Sequence, residues 1–202
     1  SGEIYGQPKD DQPINEQRIG VIDHLNKRSC YVEAKRVCET ICLNYFWEKK
    51  LPVKIVRIFT AFGPGLNLND GMVFSDFIKN GLERKNIEIL GDKSIKRSIL
   101  YIKDATVMFL KILLSSKNGE VYNVANDQNL VSVEELVKIV CEAFNKKNKE
   151  KLKVVIKKSK INYYQHAVKA IRPDISKFKK DFNYQPNIGV EEAVKRTVDY
   201  YI

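Results

Sequence analysis

Ser29-Cys30-Tyr31-Val32-Glu33-Ala34-Lys35-Arg36 and, after Pro52, Val53-Lys54-Ile55-Val56-Arg57-Ile58-Phe59 are the stretches whose reading decides the fold. Tyr31, Ala34, Cys38, Ile41 and Tyr45 recur every three or four residues, so one helix is predicted over 29–48, with Ser29 as its N-cap. The second stretch alternates apolar and basic residues and ends in a continuous apolar run, the pattern of a strand covered by its neighbours.

Outward from this pair, Gly63-Pro64-Gly65 punctuates a predicted loop from Thr60 to Gly71. A helix is predicted over Val73 to Arg84, and short strands over Ile87 to Leu90 and Ser98 to Ile102. Asp104 to Ser115 is apolar almost all round and predicts a helix buried on several sides. Val121 to Ala125 predicts a strand, and Ser132-Val133-Glu134-Glu135 a capping box opening a helix to about Phe144. A lysine-rich strand near Val154, an irregular segment through Arg172-Pro173, a short helix at Ile175 to Phe182 and a closing helix from Val190 to Tyr201 complete the chain. Strands alternating with helices, without a fixed repeat, predict an α/β architecture.

The composition narrows the function classes. With 202 residues, 44% of them apolar, the chain can bury a full core. No run approaches a membrane span and the first residues do not form a signal pattern, so a soluble cytoplasmic protein is expected. Cys30, Cys38 and Cys42 share the first helix and, with Cys141, read as reduced apolar fillers. No metal site is expected, because no C-x-x-C pair occurs and His24 and His166 lie far apart. The net charge of +10 raises nucleic acid as a partner, but the basic stretch Lys146 to Lys160 carries no interleaved aromatics and reads as a solvated surface.

The chemistry concentrates at Tyr31 and Lys35. A spacing of four places phenol and ammonium on one helical face, where the positive charge favours the phenolate and hence proton removal from a sugar hydroxyl. The spacing alone equally describes an ordinary amphipathic pair.

The surrounding motifs carry a resemblance over nearly the whole chain. Ser1-Gly2-Glu3-Ile4-Tyr5-Gly6 resembles an [ST]-x-E-V-Y-G turn, Arg28-Ser29-Cys30-Tyr31 through Lys35-Arg36 an R-x-C-Y-x-x-x-K-R segment, and Arg57 to Pro64 an R-I-F-N-T-Y-G-P segment. Asn69-Asp70-Gly71, Lys96-Arg97-Ser98 and Arg172-Pro173-Asp174 follow in the same order. Together they resemble the extended short-chain dehydrogenase/reductase family, specifically its nucleotide-sugar dehydratases, epimerases and decarboxylases.

The resemblance implies a Rossmann-type α/β protein of which this chain is the C-terminal part: a remnant of the NAD-binding domain over 1–65, and over 66–202 mainly a smaller nucleotide-sugar lobe with segments returning to the Rossmann sheet. It implies NAD as cofactor, with Tyr31 removing the 4-hydroxyl proton, Lys35 binding the nicotinamide ribose, Ser1 hydrogen-bonding the hydroxyl and Glu3 as second base or electrostatic helper. Thr60, Arg97 and Arg172 are the implied substrate contacts, and a guanidinium fork suits the substrate's phosphates. A homodimer and a role in surface polysaccharide synthesis are further expectations.

Gly2 stands where dehydratases of that family have aspartate and decarboxylases serine, Thr60 where asparagine is usual and Gly65 where arginine is usual. The Arg-Ser-Cys-Tyr context leans toward the decarboxylase-like branch. No G-x-G-x-x-G turn occurs in these residues. The glycine-rich half is therefore expected upstream of Ser1, and the 202 residues alone are expected to bind NAD poorly and not turn over. A non-catalytic nucleotide-sugar or partner-binding module and, from charge only, a nucleic-acid-binding domain stay as alternatives.

Overall fold

A computed structural model of the chain describes residues 1–6, 8, 10–26, 29–90, 92–147, 151–157 and 170–202. Arg28, His166, Lys158 and Lys160, all used in the sequence reading, lie outside the described residues. The architecture is mixed α/β. A 3-10 turn (Gly2–Tyr5) leads to α1 (Ser29–Lys49), which feeds β1 (Lys54–Ile58) and, one residue later, β2 (Thr60–Phe62). Then follow α2 (Val73–Leu82), β3 (Ile87–Leu90), β4 (Lys96–Tyr101), α3 (Ile102–Leu113), β5 (Glu120–Val124), β6 (Leu130–Ser132) and α4 (Val133–Asn145). The chain closes with β7 (Val154–Lys157), β8 (Ala170–Ile171), α5 (Ser176–Phe182) and α6 (Val190–Tyr201).

β1 pairs in parallel with β5, Lys54 opposite Glu120 through Ile58 opposite Val124. β4 organises a second sheet, with β2 parallel along one half, β6 antiparallel and β8 parallel along the other. β3 and β7 form a parallel pair. The strand predicted over Val53–Phe59 thus stops at Ile58, and the predicted loop at Thr60 gives way to a strand. Phe59 lies between them, its N–H donating to the Val124 carbonyl at 3.1 Å. Ala61 and Phe62 find partners in Leu100 and Tyr101, a pairing of distant segments that no local pattern announces.

Besides a small cluster of Ile4, Tyr5 and Ile14, two larger apolar cores result. One gathers α2, α4 and α6 against β3 and β4 around Ile78, Ile87, Val140, Phe144 and Val194. The other joins α3 and α5 to β5 around Met108, Tyr122, Val124 and Phe178. The predicted capping box holds: the Glu135 amide donates to Ser132 Oγ at 3.1 Å, and Glu135 Oε2 accepts from the Ser132 amide at 2.7 Å.

The expectations for α3, for Ser29 and for the cysteines are corrected, and the two faces of α1 are placed. α3 is not buried on several sides: Ala105, Met108 and Ile112 face inward, while Leu110, Leu113 and Leu114 are exposed. Its anchor is polar instead, with buried Asp104 accepting from Tyr184 Oη at 2.7 Å and from the amides of Asn187 and Ile188 at 3.1 and 3.0 Å. On α1, the face marked by Tyr31, Ala34, Cys38, Ile41 and Tyr45 is the exposed one. The inward line is Val32, Arg36, Glu39, Leu43 and Phe46, and its two charged members defeat an apolar count. Ser29 lies within the helix and donates to the Asp23 carbonyl at 2.5 Å rather than capping the helix. Of the four free cysteines only Cys141 is a buried filler, its thiol pushed up to about 11 by burial; Cys30 and Cys38 are exposed.

Candidate functional site

The 3-10 turn is built around its own first residue. Ser1 Oγ accepts from the Glu3 amide at 3.2 Å, which leaves the hydroxyl proton free to be donated elsewhere. Glu3 is exposed, whereas Gly2, Ile4 and Tyr5 are buried. The turn packs against α1. Ser1 and Glu3 therefore sit beside the first turns of the helix that carries Tyr31 and Lys35.

Tyr31 and Lys35 are brought together as the four-residue spacing requires, the Lys35 ammonium standing 5.5 Å from the centroid of the Tyr31 ring. Tyr31 is 48% exposed, so its phenol is open to a ligand rather than sealed in packing. An accessible phenol with a neighbouring ammonium can bind adjacent hydroxyls and exchange a proton with one of them. These residues suit the ribose end of a dinucleotide; a glycine-rich turn for its pyrophosphate is absent from the 202 residues.

A polar network missing from the list of candidate residues fixes this region. Arg57 on β1 holds Glu39 of α1 through Nη2 at 2.7 Å and Nε at 3.1 Å, and its Nη1 reaches Tyr5 Oη at 2.9 Å and the Glu16 carbonyl at 2.8 Å. Tyr5 in turn donates to Asn123 Oδ1 on β5 at 2.7 Å. Asn123 completes the junction by donating to the carbonyls of Ile14 and Asp174, each at 2.9 Å. Burial works against the Arg57 charge, but the hydrogen bonds with Glu39 and Tyr5 outweigh it and hold the guanidinium pKa above its ordinary value. Burial likewise pushes the Tyr5 phenol up to about 12, against the opposing pull of Arg57. The available signal was the charged pair Arg36 and Glu39 on the Val32 line of the helix, which an apolar reading passes over.

The remaining candidates cluster on the second sheet. Thr60 on β2 pairs with Ile99 of β4, two residues beyond Arg97, so strand alternation puts Thr60 and Arg97 on one face. Arg97 is half-buried, its Nη1 donating to the Lys96 carbonyl at 2.8 Å, and it pairs with Ile171 of β8. Arg172 follows Ile171 immediately, is exposed, and gives its carbonyl to the Ile14 amide at 2.8 Å. It lines a cleft of about 380 Å³ with Pro13, Asp127, Leu130 and Pro173. Arg97 is paired with the residue before Arg172 across β4 and β8, and none of Thr60, Arg97, Tyr31 and Lys35 is among the residues lining this cleft.

Gly2 marks a constraint of its own. A Cβ there would stand 2.9 Å from Cδ1 of Phe59, so the aromatic ring occupies the space into which a side chain at position 2 would grow. Among the described residues no group of three His, Cys, Asp or Glu side chains could hold a metal ion, and no helix is long and apolar enough to cross a membrane.

The turn, the Tyr31–Lys35 pair and the parallel β1–β5 sheet all fall within residues 1–125, which match the NAD dependent epimerase/dehydratase family, and the chain belongs to that family. It is 30% identical over 206 residues to UDP-glucuronic acid decarboxylase 1 of Danio rerio, covering 100% of this chain and 46% of that protein. Identity is also 30%, over 198 residues, with UDP-glucuronic acid decarboxylase 1 of Arabidopsis thaliana, covering 98% of this chain and 43% of that one. The chain therefore spans about half the length of the curated relatives it matches. Among solved structures, UDP-glucose 4-epimerase of Thermotoga maritima with UDP-glucose superposes with a TM-score of 0.83 at 23% identity, covering 99% of this chain and 60% of that one, and shows the same Rossmann-type fold. UDP-glucuronic acid 4-epimerase of Bacillus cereus, in complex with UDP-glucuronic acid and NAD, gives 0.78 at 25% identity, covering 98% and 58%.

Proposed function

We propose that these residues supply the proton-transfer centre and the nucleotide-sugar lobe of an NAD-dependent enzyme that decarboxylates a UDP-hexuronic acid through a 4-keto sugar. The observation that carries the reading is the accessible Tyr31 phenol beside the Lys35 ammonium, on the helix against which the Ser1–Glu3 turn is packed. In this reading residues 1–65 belong to the cofactor domain and 66–202 mainly to the substrate lobe. The enzyme works as a cytoplasmic homodimer whose product enters surface polysaccharide synthesis.

NAD, when bound, supplies the hydride acceptor for C4. Tyr31 takes the proton of the 4-hydroxyl, Ser1 donates a hydrogen bond to the same oxygen, and Lys35 holds ribose hydroxyls. A ketone at C4 makes a C6 carboxylate a β-keto acid, so the C5–C6 bond breaks with its electron pair passing toward the C4 oxygen and CO2 leaving. Glu3 stands as the electrostatic helper or second base. Arg97 and Arg172 take the diphosphate, and Thr60 the sugar side of it. Elimination of a 6-hydroxyl would need an acid at position 2, where the bare Gly2 faces the ring of Phe59. The similarity to UDP-glucuronic acid decarboxylases supports the same branch.

The test is the protein carrying this chain, incubated with NAD and UDP-glucuronic acid and followed by CO2 release and NADH absorbance. Tyr31→Phe is expected to lower kcat at least about 100-fold, the scale of a lost acid–base group. A protein that leaves every UDP- and dTDP-hexose and hexuronate unchanged overturns the reading. If in addition Tyr31→Phe binds a nucleotide-sugar as tightly as the wild type, the non-catalytic binding module, which Gly2, Thr60 and Gly65 favour, replaces it.

A further inference from the structure

Arg36 follows Lys35 on α1 but points elsewhere, because successive residues of a helix are turned by about 100°. Its guanidinium is half-buried and reaches two backbone carbonyls: Nε and Nη2 donate to Ile4 at 3.0 and 2.6 Å, and Nη2 also donates to Gly20 at 2.7 Å. The two carbonyls belong to segments in direct backbone contact, since a Cβ on Gly20 would stand 1.7 Å from the Tyr5 oxygen. One side chain therefore staples the 3-10 turn, the irregular segment at Gly20 laid over it and the helix into a single unit.

We propose that Arg36 is a positioning residue, setting the distance between the turn that bears Ser1 and Glu3 and the helix that bears Tyr31 and Lys35. The proposal rests on the function proposed above. Arg57 reaches the turn only through the Tyr5 hydroxyl at its far end, whereas Arg36 grips the main chain one residue from Glu3. A planar fork can serve both carbonyls from fixed directions, and the point charge of a lysine cannot reproduce that geometry. The charge does not enter the reaction; the fork fixes where the reacting groups stand.

Arg36→Lys and Arg36→Ala are to be assayed in the protein carrying this chain, with NAD and UDP-glucuronic acid, beside wild type and Tyr31→Phe. A displacement of about 1 Å costs on the order of 100-fold in rate, so kcat should fall about 10-fold in Arg36→Lys and about 100-fold in Arg36→Ala. KM for both substrates should stay within about twofold, and the pH at which kcat rises should not move, because the effect acts on geometry and not on Tyr31 ionisation. Millimolar guanidinium should restore part of the Arg36→Ala rate. Circular-dichroism melting verifies that Arg36→Lys remains folded.

Wild-type kcat in Arg36→Lys overturns the proposal, as does a loss expressed in KM, or an Arg36→Ala loss that guanidinium leaves untouched. The failures separate cleanly. If wild type turns over, Tyr31→Phe does not and Arg36→Lys equals wild type, only Arg36 is misassigned. If wild type and Tyr31→Phe are equally inert, the functional reading fails and the Arg36 proposal with it.

Discussion

Tyr5 is the residue at which four segments meet: the opening turn, β1 through Arg57, β5 through Asn123 and, through Asn123, the Ile14 carbonyl. Removing its hydroxyl in Tyr5→Phe leaves the buried Asn123 Oδ1 without its donor, and the cost should be about 1–3 kcal/mol at neutral pH, read from urea unfolding. The alkaline behaviour has a definite sign. Burial raises the folded phenol from 10.0 to about 12. Its contribution is complete below pH 10 and is lost as the pH rises through the folded value, because only the unfolded state ionises in between. Stability of the wild type should therefore fall more steeply than that of Tyr5→Phe between about pH 10 and about pH 12. Parallel slopes over that interval would show that the phenol is not held in its neutral form.

At the scale of elements, what the sequence discloses depends on how far apart the partners lie. The cap of α4 was legible because Ser132 and Glu135 satisfy each other three residues apart. So was the convergence of Tyr31 and Lys35, one helical turn apart. The anchor of α3 was not legible, since Asp104 finds Tyr184, Asn187 and Ile188 roughly eighty positions later. For the same reason an apolar helix read as one buried all round. Asp104→Ala strands three donors at that joint and should cost about 3 kcal/mol, visible as a lowered thermal midpoint, while Ser132→Ala, which removes a single helix cap, should cost about 1 kcal/mol. An Asp104→Ala protein as stable as Ser132→Ala would show that the joint between α3 and the 184–188 segment carries little. α1 teaches the complementary lesson. Its inward face is held by Arg36 on carbonyls and Glu39 on Arg57, so the apolar count selected the face that is open.

At the scale of the whole molecule, the described residues divide their apolar side chains between two larger cores and a small cluster at the opening turn, and the candidate residues fall into two groups. Ser1, Glu3, Tyr31 and Lys35 sit with the α1 region, and Thr60, Arg97 and Arg172 sit on or beside the sheet of β4. The order of motifs along the chain made both groups recoverable, but their relation in space came from strand pairings between segments tens of residues apart. β1 pairs with β5 along one edge, and no partner occupies its other edge among the described residues. As a polypeptide by itself, the 202-residue chain would offer NAD the proposed ribose-binding pair without a pyrophosphate turn, and calorimetric titration should find only weak binding. Tight one-to-one binding would contradict that expectation.

Phe59 gives this division a mechanical meaning. The chain leaves the β1–β5 sheet at Ile58 and enters the β4 sheet at Thr60, with one residue between the two ladders. A seam that short has no slack, and the residue that makes it is the same aromatic whose ring lies against Gly2. The side chain that links the two ladders therefore also packs under the opening turn at Gly2, so a change in its size would reach both sheets and the turn at once.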